Sequence, residues 1–220
     1  MSALRSPCVV SVNAAHPRLL EERPRLVSAI DKVPHHGPVA VLDRGLDGDQ
    51  VGDVHNHGGT FQAVYAYAAE DLQHWERELG RPVRPGSFGD NLTTREVDLN
   101  QCVIGEEWSV GTARLTVSSV RTPGVRFQRW MESCGYRGPD WTERFVAHGR
   151  PGVYLTVLDR GHVAAGDPID VLRVPSHGVT AGTVFRALHQ EPALLPLLLE
   201  VDGLPPGVYD AAQAYVDSTG

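Results

Sequence analysis

Cysteine and lysine are the residues that this 220-residue sequence has least of. Its three cysteines are Cys8, Cys102 and Cys134, and none of them belongs to a CxxC pair. A structural zinc knuckle needs such pairs, and disulfide-stapled domains are shorter and richer in cysteine, so both classes are disfavoured. Lys32 is the only lysine, and arginine supplies the rest of the basic side chains.

Long apolar runs are also absent. The run at 193–201, "ALLPLLLEV", is too short to span a bilayer and contains Pro196. The N-terminal residues 1–13 lack the apolar core of a signal peptide. A net charge of −7 and a pI near 5.8 disfavour a nucleic-acid partner. We therefore expect a cytoplasmic protein that takes a small-molecule substrate and contacts neither nucleic acid nor membrane.

Short strand-like segments separated by Gly and Pro make up most of the chain up to residue 175. Segments 7–14, 107–110 and 113–120 are rich in the residues that favour strands. Residues 151–175 predict two more strands, with "DRGH" (159–162) as a hairpin connection. This pattern predicts a mainly β fold, either a barrel or a sandwich.

Two other segments interrupt the strands. Residues 69–79 have apolar positions at Leu72, Trp75 and Leu79, a spacing that predicts a helix. Residues 81–94, "RPVRPGSFGDNLTT", contain closely spaced Pro and Gly and predict an exposed loop.

The C-terminal part changes character. Apolar residues there recur at helical spacing, which predicts three short helices, with Thr180 as the N-cap of the first. Pro175 marks the expected boundary, so the sequence predicts a β-barrel domain over 1–175 and a helical extension over 176–220.

Several segments, in a consistent order from about residue 5 to 210, resemble one family. They are "GDQVGDVHNHGG" (48–59), "FGDNLTT" (88–94), "IGEEWSVGTARLTVSSVRTP" (104–123) and "GVYLTVLDRGHVAAGD" (152–167). Together they resemble the MOSC domain, which is also found at the C-terminus of molybdenum cofactor sulfurase. Residues 176–206 resemble the three-helix extension of the YiiM-like branch of that family.

The resemblance implies a MOSC-type β-barrel with peripheral helices and a C-terminal three-helix appendage. It also implies a molybdenum cofactor, whose organic part is a pterin, and an oxidoreductase that reduces N-hydroxylated compounds. An electron-donor protein would then be a partner, and a homodimer is a further expectation.

The family places a cysteine after "RTP", where its sulfur serves the cofactor, and this chain has Gly124 there. Glycine has no ligand atom, so the departure falls on the residue that the usual chemistry needs most. Three interpretations stay open: an engineered replacement, a natural relative that binds cofactor without a thiolate, or a relative with new chemistry or none. Cys134 lies ten residues later and is either a substitute thiol or an ordinary packed one.

The resemblance places the site where three loops meet, at 53–59, 88–92 and 121–126. Backbone N–H groups beside glycines cradle anions, and guanidinium groups clamp phosphates. Asn91 either binds a ligand edge or caps a turn. The candidate cofactor-binding residues are Gly58, Gly59, Asn91, Arg121, Thr122, Gly124 and Arg126.

Asp53, His55 and His57 support a second hypothesis. In a strand they would share one face, and a carboxylate with two imidazoles is a ligand set for iron, manganese or zinc. The same groups suit acid/base catalysis. The alternatives are therefore a molybdenum-independent enzyme, such as a repurposed lyase, hydrolase or metalloenzyme, or a non-catalytic module that binds a pterin or another anion without any metal.

Overall fold

A computed structural model of the chain describes residues 6–16, 18–21, 26–50, 59–136 and 140–219. The described residues form thirteen strands, five α-helices and three 3₁₀-helices. The strands are β1 (Cys8–Ala14), β2 (Arg18–Glu21), β3 (Leu26–Ser28), β4 (Val33–Pro34), β5 (Val39–Leu42), β6 (Gly45–Leu46), β7 (Val64–Ala68), β8 (Leu92–Arg95), β9 (Glu107–Val110), β10 (Ala113–Ser119), β11 (Val153–Asp159), β12 (Gly161–Val163) and β13 (Ile169–Arg173). The α-helices are α1 (Ala69–Leu79), α2 (Val125–Ser133), α3 (Trp141–His148), α4 (Ala181–His189) and α5 (Pro206–Thr219), and the 3₁₀-helices are Thr60–Gln62, Leu99–Gln101 and Pro192–Glu200.

Eight strands form one curled sheet in the order β13-β9-β10-β11-β7-β8-β1-β4. Its neighbours pair antiparallel, except that β7 and β8 run parallel. The curl brings β1 back to β13, since the Val9 amide donates to Asp167 O at 2.9 Å and the Ile169 amide donates to Pro7 O at 3.0 Å. The mainly β, barrel-like fold predicted from the sequence is confirmed.

The core of the molecule is an aromatic cluster between this sheet and the helices. Trp75 of α1 stacks on Phe145 of α3 with ring centroids 6.4 Å apart, and its indole N–H donates to the Tyr67 hydroxyl at 2.9 Å. Phe88 lies parallel to Tyr67 at 5.2 Å. Burial of each such side chain contributes roughly 1.5–3 kcal/mol, so this cluster fixes how the helices sit on the sheet.

Helix α1 begins and ends at the predicted residues. Leu72 and Trp75 are buried and Leu79 packs against the core, as the spacing predicted. The helix stops at Gly80, whose φ of 63° is a left-handed conformation that glycine adopts without a steric penalty.

The predicted hairpin at "DRGH" is wrong. β11 pairs with β10 and β7, whereas β12 pairs with β5 in a separate three-stranded sheet. The chain leaves the large sheet at Gly161, where an added Cβ would lie 2.4 Å from the Thr112 carbonyl. Only glycine fits this close approach, so β12 can cross to the second sheet there.

The loop over 81–94 is not exposed throughout, as had been expected. From Ser87 to Leu92 it is buried, because Phe88 enters the aromatic cluster and the Asp90 carboxylate accepts hydrogen bonds from the Gly86 amide (3.1 Å) and the Thr93 hydroxyl (2.5 Å). Proline and glycine set the turns of this segment, and the buried Phe88 ring together with the hydrogen-bonded Asp90 carboxylate holds it inside.

The C-terminal segment forms the three predicted helices, of which the middle one is a 3₁₀-helix. The Thr180 hydroxyl accepts from the Thr183 amide at 3.2 Å, which confirms the predicted N-cap. Phe185 is fully buried 6.3 Å from Phe145, so these helices share the core of the barrel. The division at residue 175 stays a prediction. Within the described ranges no helix is long and apolar enough to cross a membrane.

Candidate functional site

A cavity of about 440 Å³ opens beside the curled sheet, where the segment after β10 meets the loops that follow β3 and β6. Its walls include Tyr65 of β7 and Tyr154 of β11, and Gly124 at the start of α2 lies at its edge. The described side chains that line it and carry charge are Lys32, Arg44, Asp49, Arg121 and Arg126. With four cationic groups and one carboxylate among them, the cavity suits an anionic ligand.

Asp49, the carboxylate of this cavity, is held from several sides. Lys32 Nζ lies 2.5 Å from Oδ1 and 2.6 Å from Oδ2. The Ala15 amide donates to Oδ1 at 2.8 Å, and Asn91 Nδ2 donates to Oδ2 at 2.8 Å. Burial lowers the pKa of Lys32, while the charge of Asp49 and its hydrogen bond act in the opposite direction. The pair is thus a fixed, nearly dry ion pair in the cavity wall.

Arg121 follows β10 and is buried, with only 8% of its surface exposed. Its Nη1 donates to Phe88 O, and its guanidinium lies 4.8 Å from the Phe127 ring centroid and 5.2 Å from that of Tyr65. In the described part of the chain no carboxylate forms an ion pair with Arg121. A buried guanidinium held by aromatic faces presents its remaining donors to whatever fills the cavity.

Gly124 is the N-cap residue of α2, and it lines the cavity. Its φ of −141° is ordinary extended backbone, and an added Cβ would meet none of the described residues within 4 Å. Neither strain nor crowding therefore requires glycine at this position. Cys134, by contrast, is the C-cap of the same nine-residue helix, roughly 14 Å away along the axis. It does not replace the absent thiol.

A family model described as the MOSC domain matches residues 53–170, which is more than half of the chain. The chain belongs to the MOSC domain family.

Two curated relatives extend this result. Uncharacterized protein YflK of Bacillus subtilis is 29% identical over 173 residues, covering 78% of this chain and 76% of YflK. Protein YiiM of Escherichia coli is 27% identical over 149 residues, covering 66% of this chain and 64% of YiiM.

Solved structures share the MOSC fold. YiiM from Geobacillus stearothermophilus superposes with a TM-score of 0.78 at 24% identity, over 96% of this chain and 99% of that chain. YiiM from Escherichia coli gives a TM-score of 0.73 at 22% identity, over 99% of this chain and 95% of that chain. At these identities the likeness concerns the fold alone.

Most of the cofactor-binding residues predicted for this MOSC protein meet at the cavity, whose lining includes Asn91, Arg121, Thr122, Gly124 and Arg126. Arg126 is half-buried and Thr122 is exposed at the rim. The two amide hydrogens of Asn91 have protein acceptors, Asp49 Oδ2 and Asn13 O, so Asn91 orients Asp49.

The remaining predicted residues lie elsewhere. Asp53, His55, His57 and Gly58 fall outside the described residues, and the acid/base and metal roles proposed for them stay predictions. Gly59 is exposed and does not belong to the described lining of the cavity. Among the residues that the structure describes, no group of His, Cys, Asp or Glu could hold a metal ion.

The cavity of this MOSC protein also has lining residues that were not predicted as site residues, and four of them bear on its chemistry. They are Lys32, Arg44, Asp49 and Tyr154. The signal for Lys32 was in the composition, since a chain with 20 basic residues has a single lysine. Burial raises the pKa of the Tyr154 phenol, so its hydroxyl stays protonated at neutral pH and can donate a hydrogen bond in the cavity.

Proposed function

We propose that this MOSC protein binds a phosphate-bearing pterin in the cavity. In this proposal no cysteine thiolate of the protein binds molybdenum. The observation that carries the proposal is the excess of cationic over acidic groups among the described side chains of one cavity, where Arg44, Arg121 and Arg126 accompany the Lys32–Asp49 pair. Guanidinium groups bind phosphate oxygens bidentately, and partly dry surroundings strengthen the attraction.

The organic part of a molybdenum cofactor fits this cavity better than its metal does. The cavity offers guanidinium groups for a phosphate and tyrosine rings for a flat heterocycle. Molybdenum is a metal that thiolates bind well, and no cysteine belongs to the described lining. Burial raises the pKa of Cys102 well above its usual range, which removes the thiolate at neutral pH.

A pterin-binding assay tests the proposal. We expect the fluorescence of a phosphate-bearing pterin to be quenched when it binds. Arg121→Met should weaken its affinity at least about tenfold, which is the effect of losing one charge-assisted hydrogen bond. Arg173→Met is the matched control, because Arg173 is exposed on β13 and pairs with Glu107 away from the cavity. Equal affinity of the two variants, or no binding by the parent protein, would overturn the proposal.

Reduction of N-hydroxylated compounds, the activity that the YiiM-like resemblance implies, is the second candidate. It is favoured by the space that the described residues leave at Gly124, where a cysteine side chain would clash with none of them. If the thiol is all that is missing, Gly124→Cys would gain molybdenum binding and reductase activity with an electron-donor protein. Gly124→Ser, which has a similar size but no thiol, is the control that should gain neither.

A molybdenum-independent enzyme that uses Asp53, His55 and His57 remains the third candidate. Elemental analysis of the purified protein tests its metal version, since stoichiometric iron, zinc or manganese should be lost on His55→Ala. A protein that binds pterin, contains none of these metals and turns over no substrate would instead be a non-catalytic binding module.

A further inference from the structure

Lys32 is unusual because it is the only lysine of a chain that otherwise uses arginine for its basic side chains. Arginine would serve well in an ion pair, since its planar fork matches both oxygens of a carboxylate. An amine differs from a guanidinium in one decisive respect, because it can lose its proton and act as a nucleophile.

The backbone at Lys32 is fixed before any ligand arrives. Its amide donates to Ile30 O at 2.8 Å, and its carbonyl accepts from Arg84 Nη1. A Cβ added to Gly86 would lie 2.4 Å from the Lys32 carbonyl oxygen, so this loop approaches as closely as glycine permits. With 7% of its surface exposed, Lys32 lies in a wall that cannot relax far.

The partner of Lys32 is placed to take a proton. Both Asp49 oxygens lie within 2.6 Å of Nζ, and the donors on Ala15 and Asn91 keep the carboxylate in that orientation. Burial is the largest influence on the Lys32 ammonium and lowers its pKa, and the charge of Arg121 also lowers it. The charges of Asp49 and Asp90 and the hydrogen bond to Asp49 raise this pKa, but the net change is a lowering, which favours the neutral, reactive amine.

We infer that Lys32 is a nucleophile that forms an imine with a small aldehyde or ketone bearing a phosphate or carboxylate group. The inference rests on the anion-binding cavity of the proposed function, since Arg121 and Arg126 would hold the anionic group while Lys32 meets the carbonyl carbon. Such a substrate would occupy the cavity in place of a pterin.

The reaction balances with groups already in the cavity. The Lys32 ammonium gives one proton to Asp49, the neutral nitrogen attacks the carbonyl carbon, and one of its two remaining protons moves to the carbonyl oxygen to form a carbinolamine. Asp49 returns its proton to the carbinolamine hydroxyl, the C–O bond breaks to release water, and the nitrogen lone pair forms the double bond of a protonated imine. No oxidant or reductant is needed, and hydrolysis restores the amine.

Reductive trapping tests the inference directly. The protein is incubated with glycolaldehyde phosphate and cyanoborohydride, and the adduct is located by intact mass and peptide mapping. Because Lys32 is the only lysine, an internal adduct has one possible position, and the N-terminal amine serves as the built-in reference. We expect adduct on Lys32 to form at least about tenfold faster than with uncharged glycolaldehyde, as one phosphate–arginine contact predicts.

Two variants separate chemistry from binding. Lys32→Arg keeps the charge beside Asp49 but has no amine, so its internal adduct should vanish. Arg121→Met should lose the preference for the phosphate-bearing aldehyde, whereas Arg173→Met should keep it. Intact folding of each variant is checked by thermal unfolding.

The outcomes distinguish this inference from the proposed function. If glycolaldehyde phosphate displaces a bound pterin phosphate but labels the N-terminus alone, the imine is overturned and the anion-binding cavity stands. If neither compound binds, both are overturned. Equal labelling by the charged and uncharged aldehydes would also overturn the inference.

Discussion

Asn91 Nδ2 lies 2.8 Å from Asp49 Oδ2 and donates a hydrogen bond to it. The same amide group donates to Asn13 O at 3.2 Å, and its Oδ1 accepts from the Tyr65 amide at 3.1 Å. One side chain therefore ties β1, β7 and the loop after β6 together at the wall of the cavity. The wall depends on Asn91 both for its structure and for the orientation of its carboxylate.

Replacement of Asn91 by leucine should destabilise the protein by about 2–4 kcal/mol, because three hydrogen bonds, two of them buried and one partly buried, lose a partner. Urea unfolding measures the change. Gln213→Ala is the control, since Gln213 is exposed on α5 and bonds only to Asp217 among the side chains described, so its effect should stay within about 0.5 kcal/mol. Equal midpoints for the two variants would contradict the role assigned to Asn91.

Changing glycine to alanine should lower the stability of the protein strongly at Gly152 and hardly at all at Gly124. Gly152 has a φ of +69°, and a Cβ there would lie 2.4 Å from Ala66 O and 2.9 Å from Tyr67 Cδ2. Gly152→Ala should therefore cost about 2–4 kcal/mol. Gly124→Ala, whose Cβ would have no neighbour within 4 Å in the described part of the chain, should change stability by less than about 0.5 kcal/mol. A large loss at Gly124 would mean that the backbone, and not chemistry, requires glycine there.

Local patterns were enough to predict much of the fold. Apolar spacing over 69–79 predicted α1 to the residue, and the strands over 107–110 and 113–119 were predicted from their composition. Each of these signals lies within a single element, where periodicity and turn chemistry are readable. The family motifs supplied the order of the elements and the position of Gly124.

Long-range contacts account for what could not be predicted. The partners Lys32 and Asp49 are separated by 17 residues, and only the folded chain shows that they meet. Helix α2 was missed because "RTPGV" reads as a loop, although Gly124 ends that loop and caps a helix whose Phe127 and Trp130 are buried. The hairpin prediction at 159–162 was wrong because the backbone at Gly161 lies close to Thr112, and β12 therefore pairs in another sheet. The local sequence gives no sign of this long-range contact.

Acid should lower the stability of this protein through two partly buried histidines, His74 and His189. Burial, and next the neighbouring His148, lowers the pKa of His74 below its ordinary 6.5, and burial lowers that of His189. The folded state therefore binds fewer protons than the unfolded state at mildly acidic pH, so the stability that these groups contribute is present above pH 6.5 and is lost as pH falls below it.

Unfolding free energies measured between about pH 5 and pH 7 test this sign. We expect stability to rise with pH, and the slope to be smaller in a protein carrying both His74→Gln and His189→Gln. His36→Gln, at an exposed position, serves as the control and should keep the parent slope. A parent protein that gains stability on acidification in this range would contradict the prediction.

A substitution at Phe185 tests whether the C-terminal helices unfold together with the barrel. Its ring is fully buried against Phe145, and the Ala181 amide donates to Cys102 O at 2.8 Å at the start of the same helix. Phe185→Ala should remove about 3–5 kcal/mol of stability, as for other large core residues. Because the ring belongs to the same core as α1 and α3, we expect one cooperative transition at a lower midpoint, with far-UV and tryptophan signals changing together. If only the far-UV signal shifted and the four tryptophans, all of which precede residue 175, kept the parent midpoint, the helical extension would be a separate folding unit.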